Sequence, residues 1–267
     1  MENLTIGKKI TVLVTNSCFV YLVIAGFFRF WAGYSLGFLS ASFFEHRWPD
    51  HTDDYTYMGA VIVIGGGLPA SMLGGYISDK FEPKIGSMKG LIAGVGALIA
   101  APFIFIAYIL QPSFWGSIIA YYIAYFIGEM WYGPSHAQIN NMFPSEYQGL
   151  AVAVFNFGGT TAGAIATLVL SYQKQKYDGQ NDDPPADEID QARVDGILLG
   201  WTVIIAYCIA GPLFIISGIK YGNELKKQKA RIIKKVDSVI DNTHSRGSLN
   251  SGKRPVKSDT QMGELRQ

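Results

Sequence analysis

Two charged residues lie inside long apolar segments, and they are the best candidates for chemistry in this chain. Arg29 is the only Lys, Arg, Asp or Glu between positions 10 and 41, and Glu129 is the only one between positions 114 and 142. Such a charge costs about 2.5–3.5 kcal/mol in lipid on insertion scales, so it is commonly paired or functional. We expect the two to form an ion pair near the middle of a membrane. Coupling to a proton or to a substrate head group and a static structural bridge both fit that pair.

Six apolar segments are long enough to hold these residues in membrane-spanning helices. A helix needs about 20 residues to cross roughly 30 Å of hydrocarbon. Only 16% of the chain is charged, against about 25% in soluble domains. The sequence therefore predicts an all-α, multi-pass membrane protein with a short N-terminal segment over residues 1–9. The predicted spans lie near residues 10–41, 57–78, 87–110, 114–142, 149–172 and 196–220.

Glycine and proline mark three places where these spans should bend or pack closely. Pro134 should kink the fourth span, because proline removes a backbone donor from the helix. The run from Gly65 to Pro69 predicts a flexible or broken segment in the second span. Gly159 and Gly163, four residues apart in the fifth span, predict close helix packing.

The distribution of basic residues predicts the orientation. With the N-terminus inside, the inner side holds 17 Lys/Arg and the outer side holds 4, with Arg29 inside a span. Excess Lys/Arg marks the cytoplasmic side. We therefore expect both termini to be cytoplasmic.

The turn after the second predicted span carries a cluster of charges. It runs from Gly75 through Asp79, Lys80 and Lys84. Glycine permits close helix approach, Asp79 can cap or pair with a helix terminus, and the lysines can face anionic lipid. These four residues resemble the signature loop of the major facilitator superfamily, Gly-x-x-x-Asp-Arg/Lys-x-Gly-Arg-Arg/Lys. Glu82 and Pro83 depart from that pattern, so a conformational latch and a merely topogenic loop both remain open.

A second, longer run falls at the matching ordinal position. Residues 128–144 begin Gly128-Glu129, carry Pro134 in mid-helix and end Phe143-Pro144 before Gly149. This resembles the fourth helix of a facilitator half. Residues 29–34 (Arg-Phe-Trp-Ala-Gly-Tyr) and the Gly-Glu-x-Trp-x-Gly-Pro run are similar to the spinster-like lipid transporters.

The resemblance implies one six-helix bundle, built from two inverted three-helix repeats, over residues 10–220. Facilitators have twelve spans, so it implies half a transporter, taken as the C-terminal half. A second half would be missing from this chain, supplied in trans, or supplied by a homodimer. The spinster-like likeness implies a lysolipid or other amphipathic organic solute and a plasma or endolysosomal membrane.

Polar residues within the spans are candidates for a cavity lining, although interhelical hydrogen bonds explain each one equally well. They are Asn16, Tyr34, Tyr125 and Asn156. The sequence contains no pattern that indicates a catalytic site, a metal site or a cofactor, so an enzyme is not expected. The expected partners are membrane lipid and a small-molecule substrate. The alternative is a non-transporting half-bundle that serves as a structural subunit of a larger complex.

The C-terminal region differs sharply from the spans. Residues 221–267 hold 11 Lys/Arg and 5 Asp/Glu. Basic residues alternate with aliphatic ones over residues 221–241, which predicts an amphipathic segment on an anionic inner leaflet. Nucleic-acid binding is not expected of a segment tethered at a membrane. Residues 242–267 are rich in Ser, Gly and Lys, which predicts a disordered cytoplasmic tail.

Overall fold

The computed structural model describes residues 6–178 and 188–251, with side chains over 6–176 and 191–234. This part of the chain is helical throughout, apart from short turns. These include a 3-10 turn over Pro49–His51 and two π-helical turns, over Ile62–Gly67 and Ile106–Leu110. The helices are α1 Ile6–Thr15, α2 Ser17–Arg47, α3 Thr52–Val61, α4 Leu68–Phe81, α5 Met88–Phe105, α6 Phe114–Glu129, α7 Tyr132–Met142, α8 Ser145–Asp178 and α9 Glu188–Ser251.

Five helical segments in the described residues are long and apolar enough to cross a membrane: Ser17–Arg47, Pro49–Phe81, Met88–Leu110, Ser145–Lys176 and Gln191–Lys234. The segment predicted as the fourth span is divided into α6 and α7, of 16 and 11 residues. Neither helix alone is long enough to cross a membrane. Of the described residues, 6–178 and 188–223 belong to one compact unit, and residues 224–251 belong to a second one.

The division between α6 and α7 follows from Pro134. Its ring nitrogen has no hydrogen to donate to the carbonyl of Met130, four residues earlier, and its ring clashes with that carbonyl. The helix accordingly ends at Glu129 and restarts at Tyr132. The expected kink is therefore a break, located one turn before the proline that causes it.

The segment predicted as the first span is also two helices, because α1 ends at Thr15 and α2 begins at Ser17. Asn16 lies between them in an extended conformation. Its side-chain Oδ1 accepts hydrogen bonds from the backbone N–H groups of Cys18 (3.0 Å) and Phe19 (3.2 Å). This is an N-cap, which satisfies backbone donors left free in the first turn of a helix.

Glycines set how closely the helices approach. A Cβ on Gly159 would lie 2.2 Å from the ring of Phe30, and one on Gly163 would lie 2.4 Å from the ring of Tyr34. The α2 aromatics therefore pack directly on the α8 backbone, and the predicted close packing at both glycines is found. Helices α5 and α9 meet in a similar way, since a Cβ on Gly90 would lie 2.3 Å from the carbonyl oxygen of Phe214.

The basic C-terminal region continues as helix in the described residues. Helix α9 extends to Ser251, so residues 242–251, predicted to be disordered, are helical. The aliphatic residues Ile232 and Ile233 are exposed. The rest of the predicted disordered tail, residues 252–267, lies outside the described residues.

Candidate functional site

The structure brings Arg29 and Glu129 together. Nη2 of Arg29 lies 2.9 Å from Oε1 of Glu129, and Nε of Arg29 donates to the carbonyl oxygen of Gly128 at 3.3 Å. The two side chains differ in exposure, because Arg29 is 1% exposed and Glu129 is 20% exposed. The guanidinium group therefore lies on the protein side of the pair, and the carboxylate lies on its open side.

Aromatic rings enclose the guanidinium group. Cζ of Arg29 lies 4.8 Å from the ring centroid of Tyr207 and 5.5 Å from that of Trp131. Both distances fall within the range of cation–π attraction. Among the described residues, the buried Oη of Tyr207 and Nε1 of Trp131 have no hydrogen-bond partner. Arg29 is thus held by one carboxylate, one carbonyl and two ring faces, out of contact with solvent.

The break at Met130 positions Glu129. The carbonyl oxygen of Met130 approaches α4 so closely that a Cβ on Gly74 would lie only 2.2 Å from it. One turn later, a Cβ on Gly133 would lie 2.5 Å from the carbonyl oxygen of Ser71. The start of α7 therefore packs closely on α4 at Gly74 and Gly133, and Glu129 directly precedes these contacts.

An open cavity of about 570 Å³ lies beside the ion pair. Its lining comes from α2, α6, α7 and α8 and the turn between α6 and α7, and it is mainly aromatic and small. Of the residues predicted to line a cavity, Tyr34 and Tyr125 do so. The lining residues are Arg29, Phe30, Gly33, Tyr34, Gly37, Phe38, Tyr125, Glu129, Trp131, Tyr132 and Thr167.

The π-helical turn in the second span lies against this site. A Cβ on Gly66 would lie 3.3 Å from the Tyr125 ring, and one on Gly67 would lie 3.4 Å from it. The segment predicted to be broken from its glycine run is therefore an i→i+5 turn, a feature that is common at functional sites. It packs against Tyr125, which lines the cavity.

Two residues predicted to line the cavity do not. Asn16 caps α2 instead, and its amide oxygen is used by the two backbone donors described above. Asn156 lies on α8 and is not among the residues that line this cavity. Neither residue lines this cavity, because residue type alone does not fix position along or around a helix.

The charged turn after α4 is organised around a lysine that the sequence interpretation had used only for orientation. Nζ of Lys89 lies 3.0 Å from Oδ1 of Asp79 and also contacts a carboxylate oxygen of Glu82. The Lys89 side chain is fully buried. Lys80 and Lys84 are exposed and form no ion pair among the described residues. The structure therefore pairs Asp79 with Lys89 and leaves the two motif lysines out.

This cluster extends across the end of the bundle. Oη of Tyr221, on α9, donates to Oε1 of Glu82 at 2.6 Å. Nδ2 of Asn141, on α7, donates to Oη of Tyr221 at 3.1 Å. Glu82 is the sequence feature that could have predicted this network. It stands where the signature loop has glycine, and a half-buried carboxylate needs a cationic partner.

The closest helix approach on α4 is made by the neighbour of Gly75. A Cβ on Gly75 would meet no atom within 4 Å, whereas its neighbour Gly74 makes the close approach to Met130. Adjacent helical residues point about 100° apart, so only one of the two can face α7.

A further charged cluster closes the opposite end of the bundle. Nζ of Lys174 on α8 lies 2.9 Å from Oδ2 of Asp195 on α9. The hydroxyl of Ser42 on α2 donates to the same carboxylate oxygen at 3.0 Å. Asp195 is 2% exposed. Ion pairs therefore hold the helices at both ends and at the middle of the bundle.

Comparison with known proteins identifies the family. The family model described as Major Facilitator Superfamily matches residues 3–167, more than half of the chain. The matched region contains Arg29, Glu129, the charged turn and every residue that lines the cavity. No curated protein matches the chain. The chain is an integral, multi-pass membrane protein that belongs to the Major Facilitator Superfamily, a family of membrane transporters for small solutes.

Proposed function

We propose that this chain carries out secondary active transport of a small organic or amphipathic solute by alternating access. The observation that carries the proposal is the buried Arg29–Glu129 pair at the edge of an open, aromatic-lined cavity. An ionisable pair inside the apolar part of a transporter is expensive to maintain and commonly marks the solute or ion path. The resemblance to spinster-like proteins makes a lysolipid the first solute to test.

The proposed architecture has six spans, in which α6 and α7 together make the fourth. The six would form one bundle of two inverted three-helix repeats, with both termini in the cytoplasm. The solute path would then form against a second six-helix bundle, from a separate chain, a second copy of this one or a longer form of it. Broken helices next to a site near the bilayer midplane are typical of such transporters, and the break at Met130 and the π-helical turn over Ile62–Gly67 suit that arrangement.

In this proposal Glu129 couples solute movement to a proton. Its carboxylate is open to the cavity while Arg29 is not, so Glu129 is the member of the pair that can exchange a proton with water. When it takes up a proton, the ion pair with Arg29 weakens. That change can favour one of two cavity conformations over the other.

The charged turn would act as the conformational latch. Gly75, Asp79, Lys80 and Lys84 are the residues that match the family signature. The contacts of Asp79 and Glu82 with Lys89 support a latch whose cation is Lys89. Lys80 and Lys84, which are exposed, would instead contact anionic lipid on the cytoplasmic side.

Proton movement in proteoliposomes tests the proposal. Vesicles containing the 267-residue chain and a pH-sensitive dye would receive lysophosphatidylcholine, lysophosphatidate or tetraphenylphosphonium, each in turn. We expect at least one solute to cause a dye response that protein-free vesicles lack. Glu129→Gln should abolish the solute-dependent proton flux while solute exchange continues, because the pair can no longer release a proton.

Glu146→Gln is the matched control. Glu146 is exposed in the first turn of α8 and does not line the cavity, so this variant should behave as the unmodified chain does. No response to any of the three solutes would contradict the proposal for those classes. The same proton flux in Glu129→Gln and Glu146→Gln would remove the coupling role.

A further inference from the structure

The cavity presents one charge sign to a ligand. Among the described residues, Arg29 and Glu129 are the charged ones that line it, and they differ greatly in access. The guanidinium group is 1% exposed and is covered by Glu129, Gly128 and two aromatic rings. Glu129 is 20% exposed, and among the described residues only its Oε1 is used in a hydrogen bond. A ligand in the cavity therefore meets the negative end of this pair.

The rest of the lining also favours a positively charged ligand. Tyr34, Phe38 and Tyr132 line the cavity and are 43%, 42% and 40% exposed. The faces of aromatic rings carry partial negative charge, and they attract cations within about 6 Å. These rings also offer a large apolar surface. Their chemistry suits a ligand whose positive charge is surrounded by apolar groups.

We infer that this cavity binds a hydrophobic organic cation, with the free carboxylate oxygen of Glu129 facing its charge and the rings of Tyr34, Phe38 and Tyr132 packing on its apolar part. The inference rests on the proposed function and names the solute class for that same site. Arg29 serves as a positioning residue, because it holds the carboxylate from behind without reaching the ligand. An anionic ligand would have to face the carboxylate, with the only nearby cation buried behind it.

Two ions of the same shape and opposite charge test this inference. Tetraphenylphosphonium and tetraphenylborate would be titrated separately into the chain in nanodiscs, with protein-free nanodiscs subtracted to remove membrane partitioning. We expect saturable binding of the cation at least about tenfold tighter than that of the anion, a difference of about 1.4 kcal/mol. Equal affinities, tighter binding of the anion, or no saturable binding of the cation would overturn the inference.

A charge added to the wall gives a second measurement that leaves the ion pair in place. Thr167 lines the cavity from α8. Thr167→Lys should weaken cation binding severalfold or more relative to Thr167→Met, because a positive charge on the wall repels the bound cation. The comparison isolates charge, because lysine and methionine side chains are similar in length. Equal cation affinities in the two folded variants would contradict the inference.

Separate measurements of binding and of transport distinguish the cation site from the proposed transport function. Preference for the cation without any solute-driven flux would support the cation site and count against transport. Flux of an anionic solute without any preference for the cation would support transport and overturn the cation site.

Discussion

Two adjacent glycines should respond to the same substitution in opposite ways. Helix α4 places Gly74 against α7 and leaves Gly75 with open space around it. A Cβ on Gly74 would lie 2.2 Å from the carbonyl oxygen and 2.9 Å from the carbonyl carbon of Met130, both backbone atoms that no side-chain rotation can move. A Cβ on Gly75 would meet nothing within 4 Å. Gly74→Ala therefore forces the helices apart, and Gly75→Ala does not.

The magnitudes follow from two opposing effects. Overpacking of this kind costs about 1–3 kcal/mol, and replacing a helical glycine with alanine contributes up to about 1 kcal/mol in the favourable direction. Gly74→Ala should thus lose about 1–2 kcal/mol of unfolding free energy. Gly75→Ala should be neutral or gain up to about 1 kcal/mol. In a chain of this size, each kcal/mol corresponds to about 2–4 °C in Tm.

Thermal unfolding of the detergent-solubilised chain measures this difference. Intrinsic tryptophan fluorescence is a suitable signal, because Trp131 is buried next to the Met130 break. We expect Tm to fall for Gly74→Ala and to stay the same or rise for Gly75→Ala. Equal shifts for the two variants, or a larger loss for Gly75→Ala, would refute the packing described for α4 and α7. Because Glu129 directly precedes this contact, Gly74→Ala should also weaken cation binding in the cavity.

Three further substitutions probe other parts of the bundle. Lys89→Met should lower the unfolding free energy by about 3 kcal/mol, because it leaves the half-buried Glu82 carboxylate without its cation. A Tm equal to that of the unmodified chain would contradict this prediction. Asn16→Ala should lower the unfolding free energy by about 1 kcal/mol through loss of the α2 cap, while cation binding stays unchanged. Reduced cation binding in this variant would indicate that Asn16 lines the cavity. Asp195→Asn should lower Tm because Lys174 loses its carboxylate partner, which a thermal scan of the variant checks directly.

The ion pair could be predicted from the sequence because lipid leaves few places for a charge. Arg29 and Glu129 are isolated in apolar segments at compatible depths, and each needs a partner of opposite sign. The same reasoning does not place uncharged polar residues. An asparagine such as Asn16 is satisfied by a helix terminus as well as by a cavity, and its type does not distinguish the two.

Other features depended on how helices face one another. The choice between Gly74 and Gly75 is a rotation of about 100°, which only the position of α7 decides. Lys89 is the second residue of α5, so its charge suggested a residue at the water interface. The structure buries it because α4 and α9 bring Glu82 and Tyr221 to it. Composition and periodicity predict that a segment is helical, but they do not assign its neighbours.

Alternating exposure of the cavity to the two sides of the membrane tests the central claim most directly. Gly37 lines the cavity, and a Cβ there would meet nothing within 4 Å, so Gly37→Cys adds a thiol without a clash. Cys208 is exposed and would be replaced by serine in the same chain. A membrane-impermeant thiol reagent would then be applied to sealed vesicles from each side, with and without tetraphenylphosphonium.

We expect labelling from both sides, with the cation raising the rate from one side and lowering it from the other, as a cavity that opens alternately requires. Labelling from one side only, at a rate that the cation does not change, would contradict the account. It would favour a half-bundle that serves as a fixed structural subunit.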